Sequence, residues 1–166
     1  MVQVVDSQPQ FAVKGLSNEL IDLNNPLFKD KAIIVQLFGS WCPNCYDESR
    51  HLRSLYSRLQ NDSIEVLGVA FERTHELEKA KMKLEKFRTG LDIPYPLAYG
   101  GYASKDTAQA VFPFLDRIVA FPTLMFFDKN HELRAVHSGF SGPANPQAFE
   151  QTKAEIDGLI KEIIPE

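Results

Sequence analysis

The chain of 166 residues contains two cysteines, Cys42 and Cys45, and only Pro43 and Asn44 separate them. A Cys-x-x-Cys pair at the start of a helix is typical of a redox-active disulfide. There, unpaired backbone N–H groups and the positive end of the helix dipole favour the thiolate of the first cysteine. We therefore predict Cys42 as the nucleophile and Cys45, one turn inside the helix, as the resolving thiol. Pro43 fits an early helical position, where its missing N–H would have no partner.

A zinc site is the main alternative for such a pair, because Cys-x-x-Cys also supplies two ligands of zinc ribbons and fingers. No second cysteine pair is present in the sequence. The four histidines show no ligand spacing relative to the cysteines or to one another: His51, His75, His131 and His137. A passive structural disulfide is also disfavoured, because so short a loop constrains the unfolded chain little. The sequence predicts redox chemistry, no metal, and no cofactor beyond the disulfide itself.

The elements on either side of the pair are predicted clearly. Residues 32–38 form a nearly continuous β-rich run, which suits a central strand buried on both faces. Residues 43–60 read as an amphipathic helix, because apolar side chains recur there at helical spacing. The cysteines are therefore expected where a buried strand turns into a helix.

The rest of the chain alternates between strands and helices, which implies parallel neighbours joined by right-handed crossovers. The predicted fold class is α/β, a central mixed β-sheet flanked by helices, in a single domain over residues 1–166. The other predicted elements are a weak hairpin over 11–23, a strand over 64–71, a helix over 74–88 closed by Gly90, a helix over 104–112 capped by Ser104, a hairpin of 123–127 with 132–137, and a last helix over 146–163.

Composition, charge and the N-terminal residues bear on the partners of the chain and on its cellular compartment. Lys and Arg number 18 against 22 Asp and Glu, a formal net charge of -4, and no basic cluster is present, which argues against nucleic acid. No apolar stretch is long enough for a bilayer span. The N-terminal segment MVQVVDSQPQ lacks the basic start and apolar core of a signal peptide. The chain is thus expected to be either cytoplasmic or a mature form whose leader was left off.

Two motifs together carry a family resemblance. The run Gly-Ser-Trp-Cys-Pro-Asn-Cys at residues 39–45, with Phe-Pro-Thr at residues 121–123 before a hairpin, resembles the thioredoxin superfamily over nearly the whole chain. The N-terminal β extension and the helical insertion after the second strand are similar to the TlpA/ResA branch of exported, often membrane-tethered bacterial reductases. Glu48, three residues after the second cysteine, matches that branch as well. A thioredoxin-like fold is the implied architecture.

The resemblance also implies a function and a substrate surface. Pro122 is expected in cis, opposite the cysteines, so that the backbone of Phe121 can pair with a substrate strand. Trp41, Pro43, Phe121 and Pro122 become the predicted substrate-binding residues. The implied enzyme is a monomeric thiol-disulfide oxidoreductase, foremost a reductase, that exchanges disulfides with a protein disulfide or dithiol. An upstream thiol reductant and a periplasmic or other extracytoplasmic location complete this expectation, with the cytoplasm as the alternative.

A base is needed near Cys45, because that thiol must lose its proton to resolve a mixed disulfide. Thioredoxins place a buried Asp where this chain has Gln36, which cannot titrate. Glu48 lies one turn after Cys45, and a half-buried carboxyl group there would have a raised pKa suited to proton exchange. The alternative for Glu48 is an acid that merely complements the helix dipole. Glu72 is a weaker candidate for the base and is expected to be a solvated loop charge.

Two other functions of related folds fit the sequence less well. A peroxiredoxin-type peroxidase needs Thr or Ser three residues before its reactive cysteine and Pro four residues earlier, but Gly39 and Val35 occupy those places. A copper-binding assembly module usually has Cys-x-x-x-Cys spacing and a histidine near the Pro-Thr segment, and neither is present. Both remain alternatives to the oxidoreductase.

Overall fold

A computed structural model of the chain describes residues 9–165. The strands in this part are β1 (Ala12–Gly15), β2 (Leu20–Asp22), β3 (Ala32–Phe38), β4 (Ile64–Glu72), β5 (Leu97–Tyr102), β6 (Thr123–Phe127) and β7 (Leu133–Ser138). The α-helices are α1 (Pro43–Asn61), α2 (Leu77–Leu91), α3 (Lys105–Val111) and α4 (Pro146–Ile163).

The strands form one mixed sheet in the order β2-β1-β5-β4-β3-β6-β7. Strands β3, β4 and β5 are parallel, whereas β6 pairs antiparallel with β3, β7 with β6, and β1 with β5. The predicted α/β class with a mixed sheet and flanking helices is confirmed. The N-terminal hairpin extends the sheet through β5.

The central strand β3 separates two apolar cores because its side chains alternate between the faces of the sheet. Ile34 belongs to one core, together with both cysteines, Leu52 of α1 and Ile156 of α4. The neighbouring Val35 belongs to the other, which contains Phe112 and Phe127. All residues of β3 are buried, so the strand that leads into the cysteine motif is held on both faces.

Most predicted boundaries agree with the structure, including those of β3, α1 and α4. Ser104 caps α3 as expected, since its hydroxyl accepts a hydrogen bond from the Thr107 N–H. The predicted end of α2 is wrong, because Gly90 lies inside the helix. Asp92 ends that helix instead, in the left-handed conformation with φ 51°. No helix within residues 9–165 is long and apolar enough to cross a membrane.

Strand β5 is an element that the sequence analysis did not identify. Its residues include Gly100 and Gly101, and glycine weakens a strand signal because it offers no side chain for packing. The pairing with β4 is irregular between Ala70 and Phe71. This strand therefore follows from its neighbours in the sheet and not from its own residue preferences.

Candidate active site

The cysteine pair lies at the junction between β3 and α1, as predicted. Cys42 is the N-cap residue of α1, and Pro43 occupies the first turn. The Cys42 sulfur accepts a hydrogen bond from the Cys45 N–H at 3.3 Å. Cys42 and Cys45 are joined in a disulfide, with a Cα–Cα distance of 5.2 Å. One helix start therefore holds both sulfur atoms.

The two cysteines differ in their access to solvent. Cys42 is 5% exposed, whereas Cys45 is completely buried. Of the two residues, only Cys42 retains exposed surface in the oxidised protein. This asymmetry fits the assignment of Cys42 as nucleophile and Cys45 as resolving thiol, which stays a prediction about chemistry.

The predicted substrate-binding residues surround the more accessible sulfur. The Cys42 sulfur lies 3.8 Å from the Phe121 carbonyl oxygen. The peptide bond between Phe121 and Pro122 is cis, as the resemblance implied. The ring of Trp41 contacts that of Phe121 edge to face at 5.7 Å, and Pro43 is exposed next to Cys42. An aromatic and main-chain surface therefore borders the disulfide.

The loop before the cysteines, residues 39–41, packs tightly on the end of β4. The indole N–H of Trp41 donates to the Phe71 carbonyl at 2.8 Å, and the Arg73 guanidinium lies 4.3 Å from the centre of the Trp41 ring. A Cβ on Gly39 would lie 2.1 Å from the indole nitrogen and 2.8 Å from the Phe71 oxygen. The close approach of the indole to β4 therefore requires glycine at position 39.

Glu48 is fully buried on α1, deeper than the half-buried position expected from the sequence. The difference arises because its side chain meets the central strand, where the Gln36 amide donates to Glu48 Oε1 at 3.1 Å. The second carboxyl oxygen has no hydrogen-bond partner among the described residues. Burial raises the pKa of Glu48 to about 8, although the Gln36 hydrogen bond acts in the opposite direction.

Gln36 connects the central strand to this carboxyl group, a role that the sequence analysis missed. Its amide nitrogen also donates to the Ser49 hydroxyl at 3.1 Å, and its oxygen accepts from the Tyr95 hydroxyl at 3.4 Å. The residue that replaces the Asp of thioredoxins cannot titrate, but it binds the group that can. A polar residue within the apolar run of β3 was the available signal, because buried polar groups require partners.

The expectation for Glu72 was wrong. Glu72 is the last residue of β4 and is fully buried. Its carboxylate accepts the backbone N–H of Ser40 at 2.8 Å and also accepts the Ser40 hydroxyl. Burial raises the pKa of Glu72, while the hydrogen bonds from Ser40 and the charge of Lys83 act in the opposite direction.

The contact between Glu72 and Ser40 follows from the strand register. Parallel pairing sets Phe38 of β3 opposite Ala70 of β4. Ser40 and Glu72, two residues after Phe38 and Ala70 respectively, therefore lie at the same edge of the sheet. An acid and a hydroxyl that each follow two residues after a pair of residues in register on parallel strands were thus a readable signal.

Metal chemistry has no prepared site in the part of the chain that the structure describes. Within residues 9–165, no group of three or more His, Cys, Asp and Glu side chains could hold a metal ion. His137 instead contacts the Glu155 carboxylate at 2.8 Å, and His75 stacks on the ring of Tyr102.

Comparison with known sequences gives consistent matches. The model of the AhpC/TSA family matches residues 4–136. A thiol-disulfide oxidoreductase ResA from Bacillus thuringiensis subsp. konkukian is 22% identical over 166 residues, covering 99% of this chain and 80% of the relative. A ResA from Geobacillus thermodenitrificans is 23% identical over 138 residues, which are 83% of this chain and 71% of the relative.

Solved structures with the same architecture include two disulfide-exchange proteins. A thiol:disulfide interchange protein of the thioredoxin family from Chlorobium tepidum aligns with a TM-score of 0.67 at 20% identity, over 98% of this chain and 97% of the other. The thioredoxin domain of a thiol-disulfide oxidoreductase from Bacteroides vulgatus aligns with a TM-score of 0.64 at 17% identity, over 93% and 98%. At these identities the structural likeness concerns the fold.

Proposed function

The chain belongs to the AhpC/TSA family and is a thiol-disulfide oxidoreductase of thioredoxin-like fold, and from this premise we propose that it reduces disulfides of other proteins through Cys42 and Cys45. One observation carries the proposal. Cys42 is the less buried cysteine of the pair, and its sulfur lies 3.8 Å from the Phe121 carbonyl oxygen, beside a cis proline. A substrate strand that reached Phe121 would bring its disulfide to that sulfur.

The reaction starts from the reduced pair. The Cys42 thiolate attacks one sulfur of the substrate disulfide, and the other substrate sulfur leaves as a thiolate. The Cys45 thiolate then attacks the Cys42 sulfur and releases the second substrate thiolate. Two electrons pass to the substrate, and the enzyme is left with the Cys42–Cys45 disulfide. An upstream dithiol returns it to the reduced state by the reverse exchange.

Glu48 is proposed to accept the proton that Cys45 loses during the second attack. Residues three apart lie on one side of a helix, so Glu48 is on the same side of α1 as Cys45. Its pKa of about 8 is close to neutral, which suits a group that both takes and returns a proton. In the oxidised protein the neutral carboxyl group keeps this proton. Reduction by the upstream thiol would return it to the leaving Cys45 thiolate.

The proposal extends to substrate and compartment. The aromatic rings of Trp41 and Phe121 beside the sulfur favour an extended protein segment with apolar side chains. Protein disulfides form and persist in oxidising compartments, so we propose that the enzyme acts outside the cytoplasm. The enzyme is proposed to act there as a monomer with an upstream thiol reductant.

Trapping of mixed disulfides tests the roles of the cysteines. The Cys45→Ser variant should accumulate a covalent complex with a disulfide-containing protein, whereas the matched Cys42→Ser variant should not. Equal trapping by both variants would refute the mechanism. Equilibration of the wild-type pair with glutathione tests the direction, since a reductase should have a potential more negative than that of the glutathione couple.

A further inference from the structure

Glu72 lies outside the chemistry described so far, yet it is bound to the loop that carries the nucleophile. We propose that Glu72 is a positioning residue of the redox site, which fixes residues 39–41 through Ser40 and thereby sets the place of Cys42. The proposal rests on the proposed function in one respect, because it takes Cys42 as the attacking sulfur. It adds a residue from a neighbouring strand to a site otherwise built by β3, α1 and the cis-proline segment.

Glu72 satisfies two hydrogen-bond donors of Ser40. Strand β3 ends at Phe38, so the sheet ladder does not extend to Ser40. The Glu72 carboxylate accepts both the N–H and the hydroxyl of Ser40. A buried carboxylate is costly unless it is hydrogen-bonded. The two hydrogen bonds from the half-buried Ser40 remove that cost for Glu72, and together they hold one geometry.

The loop of residues 39–41 connects the contact at Glu72 to Cys42. The Gly39 carbonyl accepts the Cys42 N–H at 3.1 Å, and the Trp41 indole donates to the Phe71 carbonyl at 2.8 Å. With the contact at Ser40, all three residues of the loop have a specific contact. The contacts of Ser40 and Trp41 lead to the last two residues of β4. Movement of Ser40 would therefore displace the residues on either side of it, and with them the start of α1.

A carboxylate is the side chain best suited to holding Ser40. It offers two acceptor oxygens in a fixed plane, which matches one N–H and one O–H on the same residue. A glutamine has the same shape and can accept the Ser40 N–H through its oxygen, while its amide nitrogen donates to the Ser40 hydroxyl. Glu72→Gln should therefore keep most of the positioning, whereas Glu72→Ala removes it.

Glu65 provides a matched control, because it is a second buried, hydrogen-bonded glutamate on β4. It is 3% exposed and accepts from the Tyr56 hydroxyl at 2.6 Å and from the Val66 N–H at 2.9 Å. Because a β-strand rises about 3.3 Å per residue, Glu65 lies about 23 Å from Glu72 along β4. A substitution there disturbs the same strand without touching the cysteine loop.

The experiment measures the equilibrium constant for forming the Cys42–Cys45 disulfide from glutathione disulfide. If the loop before Cys42 is less well held, the Cys42 and Cys45 thiols spend less time close together, so their effective concentration for forming the disulfide falls. Glu72→Ala should therefore reduce this constant about tenfold, which corresponds to about 30 mV for a two-electron couple. Glu72→Gln should stay within about threefold of wild type, and Glu65→Ala should leave the constant unchanged.

Several results would overturn the proposal. A folded Glu72→Ala protein with the wild-type constant would show that the contact positions nothing. Equal losses in Glu72→Gln and Glu72→Ala would assign the effect to charge, and an equal loss in Glu65→Ala would assign it to general stability. If Glu72→Ala does not fold, Ser40→Ala replaces it. That variant removes only the hydroxyl contact and should lower the constant about twofold to threefold, so an unchanged constant would again refute positioning.

This measurement does not depend on the protein substrate. If the wild-type enzyme failed to reduce any protein disulfide, the proposed function would fail while the glutathione equilibrium remained measurable. Conversely, an active enzyme whose equilibrium is insensitive to Glu72 would refute the positioning role alone.

Discussion

Two buried glutamates lie near the cysteine pair, and their surroundings are built differently. Glu48 on α1 has one oxygen bound to the Gln36 amide and one oxygen without a partner among the described residues. Glu72 at the end of β4 accepts both the N–H and the hydroxyl of Ser40. The surroundings of Glu48 disfavour its charged form, whereas the carboxylate of Glu72 holds the loop of residues 39–41 through Ser40. The same residue type thus fits the proposed proton step in one place and the proposed positioning of a loop in the other.

The pH dependence of stability should separate the two glutamates most strongly. The pKa of Glu48 rises from 4.5 to about 8 on folding, so its neutral form stabilises the oxidised protein below pH 4.5. This contribution is lost as the pH rises through about 8 and amounts to roughly 5 kcal/mol. Denaturant unfolding at pH 4 and pH 9 should show a loss of stability in wild type that is smaller by about this amount in Glu48→Gln, where only the contribution of Glu72 remains.

Glu72→Gln supplies the comparison for that measurement. In wild type the pKa of Glu72 is also raised by burial, so its contribution to stability also falls as the pH rises. The hydrogen bonds from Ser40 favour the charged form of Glu72 and therefore make this pH dependence smaller. Parallel stability curves for wild type and Glu48→Gln would contradict the assignment of an uncharged, buried Glu48.

Turnover of a protein disulfide should be the next largest effect. Glu48→Gln keeps the shape but cannot accept a proton, so turnover should fall by roughly 10- to 100-fold. The attack of Cys42 on a small disulfide probe should be unchanged or slightly faster, because a nearby anion disfavours the thiolate. The matched Glu72→Gln variant should retain turnover within about threefold. Wild-type turnover in Glu48→Gln would reduce Glu48 to an acid that complements the helix dipole.

Substitution of Gly39 tests how tightly the loop above Glu72 is held. In Gly39→Ala the new methyl group would meet the Trp41 indole and the Phe71 carbonyl, and one of these contacts must open. We expect a loss of about 1–3 kcal/mol in the free energy of unfolding, together with a change in tryptophan fluorescence. Gly158→Ala in α4 is the control, since nothing lies within 4 Å of a Cβ there. A Gly39→Ala protein as stable as this control would show that the loop can move freely.

The smallest effect is expected at Arg73, which lies over the Trp41 ring on the Glu72 side of the site. Arg73→Gln removes this cation–π contact but leaves the hydrogen bond from the indole to Phe71. The free energy of unfolding should fall by no more than about 1 kcal/mol. A larger loss in thermal or denaturant unfolding would mean that the cation, and not the hydrogen bond, holds Trp41.

The sequence predicts the chemical centre well because its signals are local. The apolar run of β3 and the Cys-x-x-Cys spacing place both sulfur atoms without any long-range information. The contacts of Glu72 and Gln36 depend on tertiary structure, since Glu72 meets Ser40 only when β3 and β4 are paired in register, and Gln36 meets Glu48 only when α1 packs on β3. Strand β5 was missed for a similar reason, because its glycines carry little strand preference of their own.

The antiparallel pairing of β3 with β6 has a consequence for biosynthesis. Leu37 pairs with Thr123, so β6 and the neighbouring Phe121 and Pro122 leave the ribosome long after the cysteines do. Such contacts between distant parts of a chain form late. In a nascent chain, therefore, α1 and its thiols can emerge before the Phe121 segment is available to cover them. Until that segment is added, the nascent chain has both cysteines but not yet the surface that we propose binds their substrates.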